Sequence, residues 1–253
     1  YLTYGGLPQV VTMAEEERKV EYLKSLFSHT YIRDIKERYD IKKDDDLEEL
    51  MSLIASNIGS LTNPTKLENS FKSVKKSTLS KDTIKTYLDL MQDAFIIEKA
   101  IRYDIKGKKY IDTPSKYYFT DLGLRNARLN FRQTEFTHLL ENAIYNELRL
   151  RGLSVDVGQV PTVVSEENGK RQRANLEVDF VCNQGYKRYY IQSAYALPTK
   201  EKMQQELNSL RHINDGFRKY VIVGSPTPTY QNEDGIIIMN IYDFLTNPDS
   251  LAI

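Results

Sequence analysis

Apolar residues recur at spacings of three and four early in the chain. Val20, Leu23, Phe27, Tyr31, Ile35 and Tyr39 share one side of residues 14–39, and charge fills the other. That period predicts an amphipathic helix after the break at Gly5, Gly6 and Pro8. In KKDDDLEELMSLIASNIGSL the acids Asp44, Asp45, Asp46, Glu48 and Glu49 favour a helix start. Leu47, Leu50, Leu53 with Ile54, and Ile58 form its apolar stripe, and Gly59 stops it. Asn63-Pro64 starts a further helix with Leu67, Phe71 and Val74 inward. Ser80 starts another, with Ile84, Tyr87, Leu88 and Met91 inward. Residues 95–104 alternate like a strand, lysines sit at the following turn, and YIDTPSKYYFTD returns.

Helices followed by a two-stranded ribbon predict a winged helix over residues 45–131, after a helical segment over 1–44. From residue 135 the pattern changes. EFTHLLENAIYNELRLRG is amphipathic, with Phe136, Leu140, Ala143, Ile144 and Leu148 on the core side. SVDVGQV, NLEVDFVC and RYYIQSAYAL read as strands, PTKEKMQQELNSLRHIND as a helix, and KYVIVGS and GIIIMNI as strands. IYDFLTN ends the pattern as a short helix. Residues 132–253 therefore read as a mixed α/β domain, and the chain as α+β to mixed α/β overall.

Composition narrows the partners. The 253 residues carry 35 basic and 35 acidic side chains, so no global charge draws the chain to nucleic acid or membrane. The excess is local, with 12 basic against 7 acidic residues over 62–116. A single cysteine, Cys182, excludes an internal disulfide and a multi-thiolate zinc site. It fits a reducing compartment, and a cytoplasmic location is the expectation. No apolar run is long enough to cross a membrane. The chain opens YLTYGGLPQVV with no initiator Met, which predicts a piece of a longer protein, and it has no GxxxxGK[ST] phosphate loop.

Two constellations carry chemistry. Lys81, Lys85 and Thr86 lie on the outer side of the helix after Ser80, and Lys106, Lys108 and Lys109 at the ribbon turn. With Lys72, Lys75 and Lys76 they are candidate phosphate contacts to DNA. Asp82, Asp89 and Asp93 on the same helix would repel phosphates that they faced. In the later domain, strand alternation places Glu177 with Asp179, and Gln192 with Ala194. Asp179 and Gln192, with Glu141 from the preceding helix, could offer oxygens to magnesium. A lysine that helps phosphodiester hydrolysis would sit two residues beyond Gln192, where this chain has Ala194. Read without these neighbours, the same groups are polar residues of a half-buried sheet.

The order of Glu141, Asp179 and Gln192-Ser193-Ala194 on helix, strand and strand resembles the PD-(D/E)XK nuclease superfamily. That resemblance implies a restriction-endonuclease-like αβββαβ core. Glu141 matches its helix carboxylate, Asp179 its metal-binding aspartate and Gln192 its Glu/Gln position. Ala194 departs at the lysine. YLTYGGLP, LFSHTYIRDI, STLSKDTIKTYLDLMQDAFIIEKAIRYD, KYYFTDLGLRNA, LLENAIYNELRLRG and LEVDFVC together resemble the C-terminal region of prokaryotic AAA+-type ATPases. This implies that the ATPase domain, and its ATP, belong to a segment before YLTYGGLP. Three readings follow. One is a DNA-binding or partner-binding effector region with a degenerate nuclease centre. Another is an active magnesium endonuclease whose lysine has moved, with Lys187, Arg188, Lys200 and Lys202 as candidates. The third is a protein-interaction module docking other subunits, its own ATPase domain among them.

Overall fold

The computed structural model describes residues 1–39, 41, 44–75, 79–132, 135–165 and 171–252. The chain divides into two compact units, Tyr1–Lys99 with Pro114–Ala143, and Ala100–Thr113 with Ile144–Ile253.

The first unit begins with α1 (Pro8–Thr12) and α2 (Glu16–Leu26), a π-helical turn (Phe27–Ile32) and α3 (Arg33–Tyr39). The wide turn explains a shift in the apolar stripe. Strict helical spacing would bury Tyr31 after Phe27, but the turn brings Ile32 to the core, with Leu23, Phe27 and Ile35. Helix α4 (Asp44–Ser56) buries Leu47, Leu50, Met51 and Ile54. Asn63 Oδ1 accepts the Lys66 amide (2.7 Å) at the start of α5 (Pro64–Lys75). Ser80 caps α6 (Lys81–Asp93) by accepting the Thr83 amide, and Ile84, Tyr87, Leu88 and Met91 are its buried residues. Lys76 and the Lys75 side chain lie outside what is described.

The end of α6 is a Schellman turn. Ile96 donates to Met91 O and Phe95 to Gln92 O, with Phe95 at φ 55° where glycine is usual. The chain continues into β1 (Ile97–Asp104), β2 (Lys109–Phe119), α7 (Leu122–Arg128) and α8 (Phe136–Leu150). Asp121 caps α7 through Oδ1 to the Leu124 amide (3.0 Å) and takes the Gly6 amide on Oδ2 (2.8 Å). Asn126 Nδ2 donates to the carbonyls of Leu2 and Thr3. The YLTYGGLP and TDLGLRNA stretches thus bind each other inside this unit. Arg125, 2% exposed, donates from Nε to Ala55 O, and burial lowers its guanidinium to about 10.

The second unit holds β3 (Ser154–Ser165), β4 (Arg171–Gln184), β5 (Lys187–Ala194), α9 (Lys200–Arg211) and β6 (Arg218–Val223). It ends in β7 (Tyr230–Gln231), β8 (Ile237–Asn240) and α10 (Ile241–Thr246). The mixed sheet runs β2-β1-β3-β4-β5-β6-β8-β7 among the described residues. β4 pairs antiparallel with β3 and β5, whereas β6 pairs parallel with β5 and β8. The parallel β5–β6 pair is joined through α9, as a parallel connection needs a crossover. Val178, Val181, Tyr190, Leu207, Leu210, Val221 and Ile238 belong to one apolar cluster.

The ribbon between β1 and β2 is more than a projecting loop. Arg102 to Asp104 of β1 pair parallel with Val157 to Gln159 of β3. Arg102 donates to Gln159 Oε1 and to Thr113 O, each at 2.8 Å. The architecture is mixed α/β, as the alternation of periods along the chain predicts.

Candidate functional site

The β4–β5 ladder runs in register from Gln184↔Lys187 to Phe180↔Ile191. Beyond that pair, side chains take over from the backbone. The Asp179 amide donates to Gln192 Oε1 (3.3 Å), and the Ser193 amide donates to Asp179 Oδ2 (2.9 Å). The strands part here, and a carboxylate and a carboxamide fill the gap.

A β-bulge marks the same place. On β3, Asp156 faces Val181 while Gly158 faces Val178, so Asp179 and Phe180 together oppose Val157. Bulges of this kind re-aim side chains and are common beside active sites. Asp179 is 6% exposed, and the neighbouring Ser193 is 8% exposed. Ser193 Oγ is buried with no hydrogen-bond partner among the described residues.

Helix α9 brings further charge to this place. Thr199 caps it by accepting the Lys202 amide. One helical turn on, Lys202 Nζ meets Glu206 Oε1 at 2.5 Å. The other Glu206 oxygen lies 3.5 Å from Gln192 Nε2. A relay of Lys202, Glu206, Gln192 and Asp179 therefore spans α9, β5 and β4. The sequence signal for Glu206 is its place one turn after Lys202 on a capped helix.

Ala194 lies on the strand face of Gln192 and is 2% exposed. It belongs to the apolar cluster that holds Leu207, Leu210 and Val221. The position expected for a lysine is thus part of a hydrophobic core.

Glu141 belongs to the first unit. Lys116 Nζ (2.9 Å) and Tyr118 Oη (2.7 Å) both donate to its Oε1. Lys116 is 2% and Glu141 7% exposed, so this is a buried, hydrogen-bonded ion pair. The adjacent Asn142 exchanges hydrogen bonds with the Phe119 backbone and so fixes this stretch of α8 against β2.

Magnesium draws one or two carboxylates plus water and substrate oxygens. Asp179 is one such carboxylate, already accepting the Ser193 amide. Among the described residues, no three or more His, Cys, Asp and Glu side chains converge as for a metal ion. Cys182 is fully buried, and burial raises its thiol well above the ordinary range, which makes it unreactive. Next to it, Asp156 is pushed up to about 6 by burial, opposed by the Tyr110 hydroxyl and by Arg188 and Arg149.

The basic candidates fall in both units. Lys81 and Lys85 are exposed on α6, as are Asp82, Asp89 and Asp93. Lys106, Lys108 and Lys109 are exposed in the second unit, at a turn closed by the Gly107 amide on Asp104 Oδ1. Lys106 Nζ donates to Pro161 O (2.8 Å), leaving Lys108 and Lys109 as the outermost cations of that turn. His138 sits 3.5 Å from Glu135, and His212 contacts Asn208 O. No described helix is long and apolar enough to cross a membrane.

The chain is similar to proteins of other organisms. An uncharacterized protein of Haemophilus influenzae is 35% identical over 97% of this chain and 56% of its own length. The uncharacterized protein MJ1544 of Methanocaldococcus jannaschii is 27% identical over 81% of this chain and 43% of its own. The chain thus spans about half the length of the curated relatives it matches. The crystal structure of protein VC1899 from Vibrio cholerae aligns with 88% of this chain and 53% of its own. That alignment has 13% identity and a TM-score of 0.33, too low to argue from. The model of one family matches residues 1–135, more than half the chain. The chain belongs to that family, described as Domain of unknown function (DUF8612).

Proposed function

We propose that the chain is the DNA-associated effector region of a larger prokaryotic ATPase, with a nuclease-like centre that no longer cuts. The order α8, β3, β4, β5, α9, β6 supports a restriction-endonuclease-like core following a winged helix. The observation that carries the reading is Ala194. It lies on the strand face of Gln192, 2% exposed and within an apolar cluster. An ammonium there would be buried among hydrocarbon, so the chain keeps the Asp179–Gln192 scaffold without the cation that cutting needs. The relatives are about twice as long as the part they share with this chain, which leaves room for the ATPase portion that this reading requires.

DNA affinity tests the binding half of the reading. Duplex binding should weaken steeply between about 50 and 200 mM salt. Reversing Lys81 and Lys85, or Lys108 and Lys109, to Glu should reduce it. No binding at the lower salt would sink this reading and leave a protein-docking module.

A second reading has its own observation. Lys202 Nζ contacts Glu206, which meets Gln192, so an ammonium does stand beside the scaffold. On that reading Lys202 replaces the lysine absent at Ala194, and the centre is a magnesium-dependent endonuclease. Metal-dependent nicking lost in Lys202→Ala and in Asp179→Ala would favour it.

A further inference from the structure

The closed end of the β4–β5 hairpin has a different chemistry. Gly185, at φ 59°, makes the turn, and Tyr186 at its tip is 89% exposed. A cleft of about 330 Å³ lies beside it, lined by Tyr186, Lys187, Arg188, Phe217, Arg218 and the C-terminal Leu251, among others. Among the described residues, no Asp or Glu lines it. Lys187 and Arg218 have no carboxylate partner among the described residues. Asp215, two residues before Phe217, is taken by the Tyr190 hydroxyl (2.5 Å) and the Phe217 amide.

Arg188 is fixed in place. Its Nε donates to Asn183 Oδ1 (2.7 Å), and its guanidinium lies 4.9 Å from the Tyr103 ring centre and 5.5 Å from that of Phe217. Phe217 is 41% exposed. The hairpin tip and the start of β6 therefore present one fixed guanidinium, two further cations and exposed rings together, in a volume at the lower end of the small-ligand range.

We infer that this cleft takes one nucleotide unit of single-stranded nucleic acid, with a base against Tyr186 or Phe217 and its phosphate at Lys187 and Arg218. An acidic peptide would use the cations and leave the rings idle. An apolar segment would use the rings and strand the charges. A nucleotide matches both, and stacking on aromatic rings with cations along the backbone is how single strands are held. A duplex keeps its bases stacked on each other, out of reach of these rings. The inference builds on the nucleic-acid reading above but uses a separate place, about 17 Å along β5 from Gln192 at strand rise.

The experiment is fluorescence anisotropy of the full chain with a labelled oligo-dT and a matched duplex. Tyr186→Ala and Arg218→Glu should each weaken oligo-dT binding about tenfold and leave duplex affinity within about twofold. Tyr186→Phe, which keeps the ring, should restore binding. Tyr186 is a turn residue in solvent, so its loss leaves the core untouched. Unchanged oligo-dT affinity in both variants overturns the inference. So does competition by polyglutamate as strong as by unlabelled oligo-dT. Duplex binding that depends on Lys81 and Lys85, without oligo-dT binding, also overturns it while the proposed function stands. Oligo-dT binding lost in Tyr186→Ala, without duplex binding, upholds it while the duplex contacts fall.

Discussion

Lys116 and Glu141 form a buried ion pair at 2.9 Å, 25 residues apart in sequence. Two charges out of water hold each other at little net gain, but removing one leaves the other's buried charge uncompensated. Lys116→Met should therefore destabilise the first unit by about 3–5 kcal/mol in urea denaturation. The double variant Lys116→Met, Glu141→Gln should recover most of that loss. If the single variant unfolds at the wild-type midpoint, Glu141 is not held by this pair.

Asp121 joins two segments that look unrelated in sequence. It caps α7 and takes the Gly6 amide. Asp121→Ala should cost about 1–2 kcal/mol, at the upper end for a lost cap, because two amides lose their acceptor. It should also raise amide exchange at Gly6 and Leu124 together. Exchange rising at Leu124 alone would show that the N-terminal segment is held by Asn126 without Asp121.

Asp156 makes stability depend on pH in the direction opposite to a salt-bridged carboxylate. Burial pushes it up to about 6, above its ordinary 3.8, so the folded state binds the proton more tightly than the unfolded chain. Its contribution is therefore fully present below pH 3.8 and declines as pH rises through about 6. Asp156→Asn should raise the melting temperature at pH 7 to 8 relative to wild type and flatten the fall between pH 3.8 and about 6. Parallel pH profiles for the two proteins would refute this assignment.

Phe95 is 77% exposed and sits at φ 55° in the turn that ends α6. Glycine adopts this conformation without the Cβ penalty, although it loses more chain entropy on folding. Phe95→Gly should leave stability unchanged or raise it by up to about 1 kcal/mol. A loss of more than about 1 kcal/mol would mean that the ring is held by contacts that its exposure hides.

Local pattern makes some of this visible in sequence and geometry hides the rest. Ser80 with Ile84, Tyr87, Leu88 and Met91 reads as a capped amphipathic helix because cap and stripe sit within four turns of one another. The place of Ile32 depends on a π-helical turn, which no spacing of three or four announces. Asp179 and Gln192 stand out as polar groups in apolar strands. The bulge that sets Asp179 and Phe180 against Val157 depends on β3 register, some 20 residues away. Glu206 meets Gln192 only because α9 crosses back between parallel strands. Lys116 reads as one more lysine in a ribbon, since its partner lies on a later helix.

Supercoiled plasmid tests the central claim most directly. The full chain is incubated with it in magnesium and in manganese, beside Asp179→Ala. With Ala194 in the apolar cluster, the plasmid should stay supercoiled with either metal even where the protein retards it on a gel. Metal-dependent nicking by the wild-type chain, abolished in Asp179→Ala, would contradict the claim.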